Sequence, residues 1–399
     1  MTQDYDTIEP RHSSLYTQSH PPASWSAVVA LGIGAFALVT AEFLPVGLLL
    51  QIARDLKVTE GQAGLMVTIP GFIAAFSAFL TISLARRFDR RYVLWFLLSL
   101  LVVSNTIIAF SGNLSILLFG RILLGIAIGG FWTIGVSLGP RLRPDAMGRA
   151  TSIIFSGVTM GTVLGVPLGT LLGNLLGWRS AFGAVSILVL MVVAALVKLL
   201  PTLQPEKSLG LAQIPSALKL RKVQVGLIAV IFIFIGQFSA YTYISPFLFQ
   251  VSGVSSNVLS AVLLAYGVSG IFGNIFCGWL VECNIRFGVL VATVLLGAAQ
   301  LLLLLTPNHD SLAVMEMVIW GVGFGMLPIA LQSWIFKAAP EQLESVAALF
   351  VSLSQLAVAV GALVGGAVVD LYGIHCALWV GGCCIACAAV WIFITFPHK

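Results

Sequence analysis

Charge is what this chain has least of. Of its 399 residues only 9% are Asp, Glu, Lys or Arg, and 59% are hydrophobic; a soluble globular domain carries about 25% charged residues. Histidine is scarce as well. None of the five falls deep in an apolar run: His12 and His20 lie in the polar start, His309 and His375 beside predicted turns, and His398 at the end. Six cysteines make no framework, and four of them (Cys376, Cys383, Cys384 and Cys387) crowd the last apolar segment. Cys384-Ile-Ala-Cys387 has CxxC spacing, but it has no second pair and no neighbouring histidine, so no metal or redox centre and no cofactor is expected. A secretory signal is missing, and residues 1–24 read as a disordered tail. No polar stretch is long enough for a catalytic or sensory body, which sets aside a membrane enzyme or a receptor. Gly135-Val136-Ser137-Leu138-Gly139 matches the GxSxG pattern of hydrolases, yet that pattern needs a strand-to-helix elbow and a base, and here it ends an apolar run. The net charge of +5 is dispersed through short loops, so no nucleic-acid partner is expected.

Apolar runs are what the chain has in plenty. About twelve can be separated, the first over residues 25–50 and the last over 376–396; about 20 residues in a helix cross the hydrocarbon core. The fold class predicted is an all-α membrane protein of twelve transmembrane helices in two six-helix pseudo-repeats. Its parts are a cytoplasmic tail over 1–24, an N-terminal bundle over 25–200, a cytoplasmic linker over 201–222 and a C-terminal bundle over 223–399. Forty glycines suit close packing of membrane helices. With the first residue inside, sixteen Lys and Arg fall on the inner side, three on the outer, and Arg121 within the membrane. That bias puts both termini in the cytoplasm. The halves also echo one another: Ile82 leads to Arg90 as Gly278 leads to Arg286, and Pro45 in the first span matches Pro246 in the seventh, setting Tyr243 opposite Glu42.

Glu42 is the only charge in the first run. An ionised carboxylate inside a bilayer costs roughly 2.5–3.5 kcal/mol, so such acids face a cavity, a partner or a proton. Pro45, three residues on, weakens the helix beside it. Arg121 in the fourth span lies at a similar depth, about eight residues from an outer end, or ~12 Å. Its charge favours the ionised acid while burial favours the neutral one, a balance suited to exchanging a proton. Other acids lie near span ends or in loops (Glu282, Glu316 and Asp370), so proton coupling falls on Glu42 with Arg121 beside it. Amides and aromatics among apolar walls suit a small polar solute. The candidates are Trp132 in the fourth span, Gln237, Tyr241 and Tyr243 in the seventh, Gln332 in the tenth, with Trp320 and Trp334, and Gln355 in the eleventh.

These residues resemble the major facilitator superfamily, specifically its twelve-helix drug:proton antiporter branch. Ser83 to Arg91 is similar to the basic loop between the second and third helices, Arg121 with Gly125 to the helix-4 motif, and Gly157 through Gly169 to a loosened helix-5 antiporter signature. The basic loop departs from the family at Ile82, Arg86 and Asp89. Glu42-Phe43-Leu44-Pro45-Val46, Asp89 to Val93, Gly129-Gly130-Phe131-Trp132 and Gly236-Gln237-Phe238 look most like the members that export purine ribonucleosides, with the sugar efflux transporters next. The resemblance implies proton-coupled antiport of a small polar metabolite out across the bacterial inner membrane by a monomer, with no enzymatic step. It also implies gating loops built on Arg87, Asp89, Arg90, Arg91, Glu282 and Arg286. Export of assorted lipophilic drugs is the alternative the same branch offers.

Overall fold

The computed structural model describes residues 24–85, 87–203, 214–306 and 310–395. The expected tail over 1–24 therefore lies outside the described residues except for Ser24, as do 204–213 of the expected linker, Arg86, His309 and His398. Among the described residues there are twelve spans long and apolar enough to cross a membrane.

In the first half these are α1 (Trp25–Leu56), α2 (Glu60–Ala85), α3 (Arg90–Ala109) and α4 (Leu114–Leu142). A fifth span follows, made of α5 (Met147–Met160), a π-helical turn (Gly161–Gly165) and α6 (Val166–Leu176), and then α7 (Trp178–Leu199). After the short α8 (Ile214–Lys219), α9 (Arg221–Tyr241) and α10 (Ile244–Gln250) make the seventh span. The last five are α11 (Ser256–Cys283), α12 (Ile285–Leu305), α13 (Asp310–Ala338), α14 (Leu343–Tyr372) and α15 (Ile374–Thr395).

Local chemistry explains most of the boundaries. Asn113 accepts from the amide of Ile116 at 2.9 Å and Asn284 from that of Phe287 at 3.1 Å, satisfying helix-start donors. Gly177 and Gly373 turn the chain at φ of 87° and 92° before α7 and α15, the same connection in each half. Two expectations about the spans change. The first helix runs on past residue 50 to Leu56, where Lys57 ends it in the left-handed conformation, so Glu42 lies farther from its end than eight residues. The seventh span is broken at Thr242 and Tyr243, because Pro246 has no amide hydrogen for the carbonyl four residues earlier.

Buried apolar side chains form two cores. One draws on α1 to α7; the other draws on α8 to α15 and recruits Val46, Leu49 and Ala53 from α1. Outside them Phe76 (71% exposed), Leu175 and Phe393 point outward, a surface suited to lipid rather than water. Helices cross where side chains are absent. A Cβ on Gly157 would collide with the main chain of Gly32, and one on Gly325 with that of Gly270. Gly157→Val is accordingly expected to wedge α1 from α5 and abolish folded protein in the membrane, whereas Gly278→Ala, with nothing among the described residues within 4 Å of its position, is expected to be neutral. Immunoblots of membranes and gel filtration in detergent compare the two.

One end of the bundle is drawn shut across the halves. At the start of α2, the Thr59 hydroxyl donates to Asp370 Oδ2 at 2.7 Å and the Gly61 amide to Asp370 Oδ1 at 3.0 Å. Gln250 bonds Glu60, and the Ser245 hydroxyl donates to the carbonyl of Val46 at 2.6 Å. Ser245 and Val46 flank the two matched prolines, so the repeat seen between Pro45 and Pro246 meets at one contact.

Candidate functional site

Pro45 creates a vacancy in α1 that α4 fills. With no amide hydrogen at Pro45, the carbonyl of Ala41 has no helical donor. Arg121 Nη1 donates to that oxygen at 2.8 Å, and Nη2 reaches the carbonyl of Glu42 at 3.4 Å. The arginine is fully buried and its guanidinium carbon lies 5.9 Å from the centroid of Phe182. Arg121 thus meets Glu42 through main chain. The carboxylate itself turns to the other half of the molecule, where Oε1 accepts from Gln355 Nε2 on α14 at 3.2 Å. Glu42 is 7% exposed, and among the described residues no other side chain bonds its carboxylate.

The next residue, Phe43, opens an aromatic chamber. Its ring stacks on Phe238 of α9, centroids 5.7 Å apart and planes inclined by 17°. Tyr241 stacks on Tyr266 of α11 at 4.9 Å, and Phe324 of α13 stacks against both. Gln237 braces this group from behind: its Nε2 donates to the Tyr266 hydroxyl at 3.2 Å, and its Oε1 accepts from Trp320 Nε1 at 2.7 Å. A cavity of about 40 Å³ remains between Phe43, Thr162, Phe238, Tyr241, Tyr266 and Phe324, room for little more than water. Thr162 belongs to the π-helical turn, where an extra residue per turn redirects the backbone toward the chamber.

Twelve spans in two cores, a polar seam between them and a charge-poor chamber at that seam define a narrow set of folds. Residues 31–362 match the family described as Major Facilitator Superfamily. The chain belongs to the major facilitator superfamily. It is 34% identical over 368 residues to the purine ribonucleoside efflux pump NepI of Salmonella enteritidis, an alignment covering 92% of this chain and 93% of that protein. To the NepI of Salmonella typhimurium it is 35% identical over 360 residues, covering 90% and 91%. Among solved structures, a mutant of the nucleoside transporter NupG superposes with a TM-score of 0.79 at 16% identity, covering 93% of this chain and 99% of that one. An inward-facing bacterial homologue of the lysosomal transporter Spinster gives 0.73 at 17% identity, covering 92% and 96%. The protein is therefore a multi-pass membrane transporter of the superfamily, not an enzyme.

On this superfamily frame the other expected residues scatter. Tyr243 leaves the level of Glu42 and sits in the seam between α2 and α14, donating from its hydroxyl to the carbonyl of Ala362 at 2.8 Å. Trp132 is half-buried against the first core, and Gln332 is half-buried on α13; neither lines the chamber. Gln355 meets Glu42 instead of the aromatic rings. In the loop, Asp89 caps α3 through the Arg91 amide at 2.9 Å and pairs with Arg91 at 3.3 Å. It also accepts from the amide of Leu203 at 3.1 Å, while the Arg90 amide donates to the carbonyl of Leu203 at 3.1 Å. That loop is tied to the end of its own half. Arg87 and Glu282 are exposed, and Arg286 Nη2 donates to the carbonyl of Phe393 at 2.7 Å. Sequence reasoning missed Phe43, Tyr266 and Phe324 as chamber walls. It also set Asp370 aside, the residue that ties the shut end. With 25 phenylalanines in the chain, residue type alone does not mark which few face inward. The GxSxG stretch is continuous helix at the end of α4, with no elbow.

Proposed function

We propose that this transporter exports purine ribonucleosides, or solutes of closely similar chemistry, in exchange for protons across the bacterial inner membrane. One observation carries the reading: Glu42 and Phe43 put a buried acid and a base-stacking face on a single turn of α1. The rings of Phe43, Phe238, Tyr241 and Phe324 fill the chamber by stacking on one another; once parted they offer stacking faces to a flat heterocycle, with the Tyr241 hydroxyl for its polar edge. The named activity of the NepI relatives supports the same solute class. The excess of basic residues on one side supports cytoplasmic termini, so that the end shut by Asp370 faces outward; the superfamily match supports a monomer whose halves rock about the chamber.

Uptake into everted vesicles under an imposed pH gradient tests this, with labelled purine nucleosides, pentoses and a cationic dye as separate arms. Saturable, gradient-driven nucleoside uptake is the expected result. Uptake of the dye alone would favour the lipophilic-drug reading, for which the mostly apolar chamber wall speaks. Within the same assay Phe238→Ala is expected to weaken apparent nucleoside affinity about tenfold or more, since a base on an aromatic face is worth about 1–3 kcal/mol. Tyr241→Phe, which keeps the ring and loses one hydrogen bond, is expected to change it by about two- to tenfold.

The shut end gives a conformational prediction. Asp370→Ala removes both acceptors for Thr59 and Gly61 and is expected to populate the outward-open state. Thr68→Cys, buried on α2 in a background without the native cysteines, should then react with an impermeant maleimide from outside about fivefold faster. Equal labelling with and without Asp370 would remove that residue from gating.

A further inference from the structure

Gln355 uses only half of its carboxamide. Its Nε2 donates across the seam to Glu42 Oε1 at 3.2 Å, whereas its own Oε1 is buried with no partner among the described residues, in a residue 9% exposed. One turn earlier on α14, Ser352 Oγ is likewise buried and unpartnered among them. A buried carbonyl oxygen without a donor is costly and uncommon. It points to a donor that comes and goes, and Glu42 is one. Ionised, its carboxylate only accepts, and it takes the Nε2 hydrogen. Protonated, its hydroxyl can donate to Oε1 once the amide has made a half-turn. The first bond is charge-assisted and roughly twice as strong as the second. Arg121 of α4, bonded to the main chain of α1, is the charged neighbour. Residues 61–81, 150–176, 223–241, 257–281 and 345–369 contain no Asp, Glu, Lys, Arg or His, and of the other helices packed on α1 and α14, α7, α13 and α15 carry Arg179, Lys198, Asp310, Glu316, Lys337 and His375 toward their ends.

We propose that Gln355 is a positioning residue that immobilises the empty, deprotonated carrier. This rests on Glu42 as the proton carrier described above. An exchanger stays coupled only if the form holding neither proton nor solute does not cross. Ionised Glu42 held by Gln355 keeps α1 on α14 and the outer end shut. A proton replaces that tie with a weaker one and lets the halves rock. A solute stacked on Phe43, the residue after Glu42 on the same turn of α1, displaces that turn and releases the tie in its own way. Without Gln355, the bare carboxylate returns alone, and each cycle moves one proton from the acidic side to the other with no solute in exchange.

Purified protein in proteoliposomes carrying an imposed pH gradient and an internal pH dye, with no nucleoside present, tests this. Gln355→Met, close in shape but without polar atoms, is expected to dissipate the gradient about fivefold faster than the parent protein. Gln355→His, which retains an N–H donor, is expected to restore tightness, and adding Glu42→Gln to Gln355→Met is expected to abolish the leak. Should the methionine variant not reach the membrane, Gln355→Ala is read in the same way. A leak no faster than that of the parent overturns the proposal, as does a leak that survives Glu42→Gln. Failure of the underlying reading looks different: the parent protein would then move no protons when nucleoside is added.

Discussion

Glu42→Gln is expected to leave vesicles unable to concentrate nucleoside at all. A pH gradient of one unit is worth about 1.4 kcal/mol per proton, so one-for-one exchange supports about tenfold accumulation in the parent protein. The variant carries a permanently neutral amide of the same shape as the protonated acid, and its accumulation ratio should fall to about one. Solute-for-solute exchange should survive, because the rings of Phe43, Phe238 and Tyr241 are untouched and a neutral group at position 42 still has Gln355 opposite it. Glu42→Asp keeps a titratable group but is one methylene shorter, which withdraws it from a partner already at 3.2 Å; an intermediate ratio is expected. Undiminished accumulation by Glu42→Gln would move the proton to another group. Among the described residues no acid lies nearby to take it, since Glu60, Glu316 and Asp370 all stand toward the ends of their helices.

Much of the architecture was legible because membrane chemistry is blunt. Spans of about 20 apolar residues, proline and glycine at the breaks and basic residues kept, Arg121 apart, to loops and helix ends leave few alternatives. The matched prolines were legible too, and Ser245 bonded to Val46 is their meeting point. What the chain order did not reveal was direction around each helix. Glu42 and Arg121 were placed at one level, but which atoms meet depends on rotation, and the guanidinium takes main-chain oxygens. The offset pairing of Tyr243 with Glu42 failed for a related reason: the break before Pro246 swings Tyr243 out of the α9 register and into the seam beside Gly64 and Gly366. In helices apolar on every side, periodicity does not separate the lipid-facing Phe76 from the chamber-facing Phe43. Asp370 was discounted because it lies near a helix end, which is where a tie between the halves has to be.

Arg121→Met should damage the protein in a way that Pro45→Ala partly repairs. The substitution leaves the carbonyl of Ala41 buried with neither a helical nor a side-chain donor, at a cost of about 1–3 kcal/mol, and the 3.4 Å contact to the carbonyl of Glu42 is lost with it. Arg121→Lys keeps the charge but offers a compact ammonium in place of a planar fork, so it is expected to serve one carbonyl and not both. Pro45→Ala supplies the missing amide hydrogen to Ala41 from within α1. In the parent background this makes Arg121 partly redundant; in the Arg121→Met background it replaces the lost donor. The two changes should therefore be non-additive by about 1 kcal/mol in a double-mutant cycle, read from thermal unfolding of the detergent-solubilised transporter. Transport is not expected to recover alongside stability. A continuous α1 holds Glu42 and Phe43 on a stiffer turn and leaves a buried cavity where the guanidinium lay, so the chamber is rebuilt without its original hinge. Strictly additive costs would mean that Arg121 does not stand in for the proline's missing hydrogen, and that its charge acts by some route other than the backbone of α1.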